Sequence, residues 1–68
     1  MNKVKLTPNN TDIGSLVEFI DNDLTPWLGF VVSKDLKGIS VFFSDGSQHK
    51  YDWWLLHNAV EAYLLEVS

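Results

Sequence analysis

Residues 28 to 46, Leu-Gly-Phe-Val-Val-Ser-Lys-Asp-Leu-Lys-Gly-Ile-Ser-Val-Phe-Phe-Ser-Asp-Gly, decide the fold of this chain. Two runs, Leu28 to Ser33 and Ile39 to Ser44, are rich in Val, Ile and Phe, which suit a pleated, half-buried surface. The polar break between them, Lys34 to Gly38, contains glycine, and the whole stretch therefore predicts a β-hairpin. Asp45-Gly46 predicts a second tight turn, because both residue types tolerate positive φ.

The flanking segments continue the β pattern. Gln48 to Tyr51 alternates and is expected to return antiparallel beside Ile39 to Phe43. Ser15 to Ile20 predicts a strand that places Val17 and Phe19 on one face.

Proline and lysine mark the boundaries of the remaining N-terminal elements. Pro26 cannot donate to a strand ladder, so the next strand is expected to start at Trp27 or later. The alternation from Lys3 to Leu6 predicts a short edge strand, since lysine protects exposed sheet edges. Pro, Asn and Asp cluster in residues 7 to 12, which predicts a loop.

The C-terminal segment, residues 52 to 68, allows two interpretations. Asp52 is a suitable N-cap for a helix that continues to about Leu65. Alternatively, a short helix ends near residues 58 to 60 and a last strand follows over residues 62 to 67. Asn58 would then be a left-handed cap. Periodicity alone does not separate the two.

Length and composition limit how the chain is stabilised. Its 68 residues allow one domain, 1 to 68, and cysteine is absent, so no disulfide supports it. Two histidines are too few for a typical structural zinc site. Four Phe, three Trp and two Tyr favour a dense aromatic core or oligomerisation. The alternation predicts the core residues Val17, Phe19, Val31, Ile39, Val41 and Phe43.

Charge and motifs argue against several function classes. The chain has five Lys, no Arg and nine acidic residues, for a net charge of −4, whereas nucleic-acid binders usually present a basic, Arg-containing patch. No nucleophile motif or phosphate loop is present, so we expect no enzyme activity and no cofactor. Neither a signal peptide nor an apolar run of about 20 residues is visible, so we expect a cytoplasmic protein without a membrane span.

A family resemblance rests on the order of elements rather than on a chemical motif. Its segments are Gly14-Ser-Leu-Val-Glu-Phe, Leu28-Gly-Phe-Val-Val, Ile39 to Gly46, Tyr51 and Leu65-Glu-Val. This succession resembles a small Src-homology-3-like (SH3-like; Tudor- or KOW-like) barrel, and it is similar to short proteins encoded by tailed bacteriophages. The resemblance covers roughly residues 14 to 67 and carries no catalytic residue.

The resemblance implies a mainly β fold. The expected architecture is a small, partly open antiparallel barrel of about five strands with one short helix near the C-terminus. The resemblance also favours the short helix and final strand over the continuous C-terminal helix.

Aromatic residues supply the candidate binding site, which comprises Trp27, Phe42, Tyr51, Trp53 and Trp54. A cage of two or three rings attracts a cation, and a nearby carboxylate strengthens it; the candidate carboxylates are Asp21, Asp23, Asp45 and Asp52. The alternative is that the rings fill the small core or a dimer contact. Trp53 and Trp54 are consecutive, so at least one of them is expected to be partly exposed.

The resulting prediction is a non-enzymatic interaction module that binds a protein partner or forms a homo-oligomer through Phe42 and Trp53 or Trp54. A nucleic-acid-binding barrel is the alternative. It would place Lys34, Lys37 and Lys50 on phosphates and stack Trp27 or Phe42 on bases.

Overall fold

The fold is mainly β, as predicted. A computed structural model describes residues 2 to 66, and the side chains of residues 3 to 65. Its elements are β1 (Asn2–Lys5), β2 (Leu16–Ile20), β3 (Pro26–Lys34), β4 (Gly38–Phe43), β5 (Gln48–Asp52), α1 (Trp53–Asn58) and β6 (Glu61–Glu66). Val67, the last residue of the predicted final strand, lies outside the described residues.

Six strands form one open antiparallel sheet within residues 2 to 66, in the order β1-β6-β2-β3-β4-β5. The count is six instead of about five because the N-terminal Lys-Val-Lys segment pairs with β6, with Lys3 opposite Leu65. β1 is an edge strand, as predicted. The one helix of the described chain is too short to cross a bilayer.

The inner face of the sheet carries the core. All six predicted core residues are buried, because the two-residue period of each strand sends alternate side chains to this face. Four further apolar residues complete the core, namely Leu6, Leu56, Ala62 and Leu64. Leu56 is the buried residue of α1, so the helix covers part of the inner face.

The turn between β3 and β4 also anchors the helix. Asp35 accepts hydrogen bonds from the backbone N–H groups of Lys37 and Gly38, at 2.8 and 2.9 Å. The Lys37 carbonyl then accepts from the backbone N–H of Trp53 at 2.9 Å. The hairpin predicted from residues 28 to 46 therefore positions the first residue of α1.

The predictions for Pro26 and Asn58 are wrong. β3 starts at Pro26, one residue before the predicted limit, because the first position of a strand does not need the N–H that proline lacks. Asn58 does not adopt the left-handed conformation. The cap residue is Ala59, at φ −116°, and the Asn58 side chain donates to the Trp54 carbonyl instead.

The short helix and final strand are the correct interpretation of the C-terminal segment. Asp52 is the N-cap, as predicted, and its carboxylate accepts from the Leu55 N–H at 2.7 Å. The Leu55 carbonyl accepts from both Ala59 and Val60, which closes the helix within six residues.

Gly46 occupies the left-handed region at φ +91°, and its N–H donates to the Phe43 carbonyl at 3.0 Å. Gly46→Val is expected to cost about 2 kcal/mol of unfolding free energy, because a β-branched residue strains this conformation. Urea unfolding measures it. Gln48→Val, at an exposed strand position, is the control and should have little effect. Equal losses in the two variants would contradict a tight Asp-Gly turn.

Candidate binding site

An aromatic hollow of about 310 Å³ lies on the inner face, beside the β2–β3 loop and the β4–β5 turn. Its lining comprises the ring side chains Phe19, Trp27, Phe43, His49 and Tyr51, the aliphatic Ile20 and Val60, and the polar Asp21, Asp45 and Ser47. None of these lining residues is a lysine.

Three of the rings pack closely and form the buried side of the hollow. The Phe19 and Phe43 centroids lie 5.3 Å apart in an edge-to-face arrangement, and those of Phe19 and Tyr51 lie 4.7 Å apart. Phe19 and Phe43 are buried, Tyr51 is half-buried, and Trp27 is exposed. The hollow thus has a fixed aromatic floor and a solvent-accessible indole at its side.

The sheet register explains why these residues meet. Trp27 on β3 lies opposite Phe19 on β2, so both side chains project to the inner face. The same alternation along β5 sends His49 and Tyr51 to that face, opposite Val41 and Ile39. Residues far apart in the sequence are therefore neighbours in one hollow.

Asp21 fixes the Trp27 indole. Its Oδ2 accepts from Trp27 Nε1 at 2.9 Å, and its Oδ1 accepts from the backbone N–H groups of Asp23 and Thr25. The indole hydrogen bond is the largest cause that lowers the pKa of the Asp21 carboxyl. The group that orients the ring therefore also keeps a negative charge beside it.

Asp45 places a second carboxylate at the hollow. Its Oδ1 accepts from the Ser47 hydroxyl at 2.6 Å and from the Ser47 N–H at 2.9 Å. The Ser47 hydroxyl is the largest cause that lowers the pKa of the Asp45 carboxyl. Two ionised carboxylates and several rings in a lysine-free hollow favour a cationic group with an apolar body.

The five candidate aromatic residues do not form a single surface. The structure brings Trp27 and Tyr51 together in the hollow. Phe42 lies on the outer face, opposite its neighbour Phe43. Trp53 packs partly against the core, while Trp54 is exposed on α1.

Only two of the four candidate carboxylates lie at the hollow. Asp21 and Asp45 line the hollow, whereas Asp23 and Asp52 do not. Asp52 instead caps the helix. The sequence pattern assigned Phe19 and Phe43 to the core alone and gave His49 no role in a binding site. Only the register of β2 with β3 and of β4 with β5 reveals their place in the hollow.

No group of three or more His, Asp or Glu side chains in the described part of the chain is arranged to hold a metal ion. His57 is exposed on α1 and lies outside the hollow.

No family model, no curated protein and no solved structure matches this chain. Function is therefore inferred from the geometry of the site.

Acid is expected to destabilise the protein through three carboxyls, Asp21, Asp35 and Asp45. The pKa values of all three carboxyls are lowered from 3.8. For Asp35 the main cause is the hydrogen bond from the Gly38 N–H. A carboxyl whose pKa is lower in the folded state than in the unfolded state stabilises the fold at pH values above its unfolded-state pKa. This stability is lost as the pH falls through the folded-state pKa. Urea unfolding should therefore show falling stability between about pH 5 and about pH 2.

The triple variant D21N/D35N/D45N isolates this effect, because asparagine keeps a side-chain oxygen acceptor but does not titrate. Its stability should change less with pH than that of the original chain. D23N is the control, since no described hydrogen bond ends on the Asp23 carboxylate. An undiminished pH dependence in the triple variant would contradict the assignment.

Proposed function

We propose that this chain is a non-enzymatic interaction module whose aromatic hollow binds a lysine or arginine side chain of a protein partner. The observation that carries the proposal is the pairing of the Trp27 and Tyr51 rings with the carboxylates of Asp21 and Asp45. A cation gains from the ring faces and from both negative charges, whereas an anion meets repulsion from the carboxylates.

The dimensions and lining favour a side chain over a large ligand. About 310 Å³ is at the small end of the range for ligand pockets. Ile20 and Val60 offer apolar contact to a methylene stem while the cationic head lies near the carboxylates. A lysine or arginine on the surface of a partner meets both requirements.

The nucleic-acid alternative has less support. Lys34, one of its three proposed phosphate contacts, already donates to the Pro8 carbonyl at 2.8 Å and lies 3.3 Å from an Asp12 carboxylate oxygen. Trp27, one of its two proposed stacking residues, lies beside Asp21, which repels a phosphate backbone. A salt series with single- and double-stranded oligonucleotides tests it, and strong, salt-sensitive binding would favour it over the protein partner.

The wider placement of the protein is also a proposal. A mainly β sheet with one short helix is compatible with the resemblance to small SH3-like barrels, including those of tailed bacteriophages. A cytoplasmic location accords with an interaction module that carries no cysteine.

Titration with blocked amino acids tests the hollow. Nα-acetyl-lysine amide and Nα-acetyl-arginine amide are expected to bind with a Kd on the order of 1 mM, the affinity that ligands of this size reach. Nα-acetyl-norleucine amide has a similar stem without the charge, and it should bind several-fold more weakly. Equal affinity for the neutral and cationic probes would contradict the proposal.

Paired variants separate the hollow from the overall charge. D21N/D45N should weaken binding of the lysine probe about tenfold, because it removes both charges at the hollow and the acceptor of the Trp27 indole N–H, while asparagine Oδ1 keeps the loop hydrogen bonds. D12N/D23N lowers the charge of the chain equally, but at two residues outside the lining. The same loss of binding in both double variants would show general attraction to an acidic protein rather than a site.

A further inference from the structure

The outer face of the sheet carries a contiguous apolar stripe, here called the outer stripe, formed by Leu16, Leu28, Phe30 and Phe42. Phe30 on β3 lies opposite Leu16 on β2 and opposite Phe42 on β4. The Phe30 and Phe42 ring centroids are 5.7 Å apart. The four side chains are 37 to 50 % exposed, although they lie on central strands of the sheet. Exposed apolar surface of this kind usually marks an interaction site.

Charges around the outer stripe are balanced, unlike those of the whole chain. The strand registers place three lysines and three acids on this face: Lys3, Lys5, Lys50, Glu18, Asp52 and Glu61. Lys3 and Glu18 form an ion pair at 2.7 Å. A strongly charged partner gains little from such a face. Each chain has a net charge of −4, but this face has none. Two copies can therefore bring these faces together without net repulsion between them.

We propose that a second copy of this chain packs face to face on the outer stripe and forms a two-fold symmetric dimer. The protein measures 29 × 27 × 24 Å, so one broad face has roughly the 800 Å² that each partner buries in a standard interface. Two copies would thereby cover the exposed rings that a small, cysteine-free domain leaves in water. This surface is on the opposite side of the sheet from the aromatic hollow, and the proposal is independent of the proposed function.

The order of residues in the outer stripe specifies the register of the dimer. Phe30 lies in the middle, between Leu16 and Phe42. A two-fold axis along β3 brings the two Phe30 rings together. It also places Leu16 of one copy against Phe42 of the other, and the reverse, as a symmetric interface requires.

Sedimentation equilibrium is the first test. The original chain should move from its 7.8 kDa monomer mass toward twice that value as the concentration rises to high micromolar. Phe42→Asp should raise the dimer Kd at least tenfold. Leu36→Asp, at a 98 % exposed hairpin position outside the outer stripe, should leave it unchanged. A monomer at every concentration would overturn the proposal, as would equal effects of the two substitutions.

A mixing experiment tests the register. Leu16→Lys and Phe42→Asp should each be monomeric alone, whereas their equimolar mixture should form a heterodimer with one Lys–Asp pair and one original Leu–Phe contact. A mixture of Leu16→Asp with Phe42→Asp, which would place two like charges against each other, should stay monomeric. Failure of the first mixture to associate, or association of both mixtures, would overturn the face-to-face arrangement. Binding of the lysine probe to Phe42→Asp should be unchanged, which separates this result from the test of the hollow.

Discussion

Replacing Phe43 with alanine is expected to remove most of the protein's free energy of unfolding at room temperature. Phe43 is 4 % exposed, and its ring contacts those of Phe19 and Tyr51 in edge-to-face arrangements at 5.3 and 6.5 Å. Removing a buried aromatic side chain costs about 3–5 kcal/mol, and a small domain has a total stability near the lower end of about 5–15 kcal/mol. Urea unfolding followed by circular dichroism measures the loss.

The neighbouring residue supplies the control for Phe43→Ala. Phe42 is the same residue type on the same strand, but it is 37 % exposed on the opposite face. Phe42→Ala should cost only about 1 kcal/mol when it is measured on dilute monomer. Similar losses for the two variants would show that the inner face has been assigned wrongly.

Gly38→Ala is expected to have the second-largest effect. A Cβ at Gly38 would lie 1.9 Å from the Tyr51 carbonyl oxygen and 2.6 Å from the Asp52 Cα. Both atoms belong to the backbone of β5, so a side-chain rotation cannot relieve the clash, and β4 and β5 must separate. We expect a loss of about 3 kcal/mol or more in the free energy of unfolding.

Gly14→Ala distinguishes this clash from a general cost of replacing glycine. Gly14 has φ +93°, and a Cβ there meets no atom within 4 Å. Its replacement should cost about 1–2 kcal/mol through conformational strain alone. A loss for Gly38→Ala that is no larger than for Gly14→Ala would contradict the close approach of β5 to Gly38.

The sequence predicts the sheet well because side-chain alternation is a local property. Val17 and Phe19, or Val41 and Phe43, are assigned to the inner face by a period of two residues alone. Turn residues are equally local, which is why Gly46 has the positive φ expected of it. The consecutive tryptophans follow the same logic, since Trp54 is exposed and Trp53 is partly buried.

Contacts between distant segments are what the sequence does not predict. The position of β6 between β1 and β2 depends on pairing across the chain, and it brings Leu64 into the core opposite Val17. The aromatic hollow joins residues from Phe19 to Val60 for the same reason. Alternation assigns Tyr51 to a face, but only the register shows which rings and carboxylates are its neighbours.

The indole N–H signals of the three tryptophans give the most direct test of the aromatic hollow, because each reports on one side chain. Trp27 Nε1 donates to Asp21 at the hollow, whereas Trp53 Nε1 donates to the Asp35 carbonyl elsewhere. In an NMR titration with Nα-acetyl-lysine amide, we expect the Trp27 signal to shift and saturate while the Trp53 and Trp54 signals stay in place. An unchanged Trp27 signal, or equal shifts of all three, would contradict a cation site in the hollow.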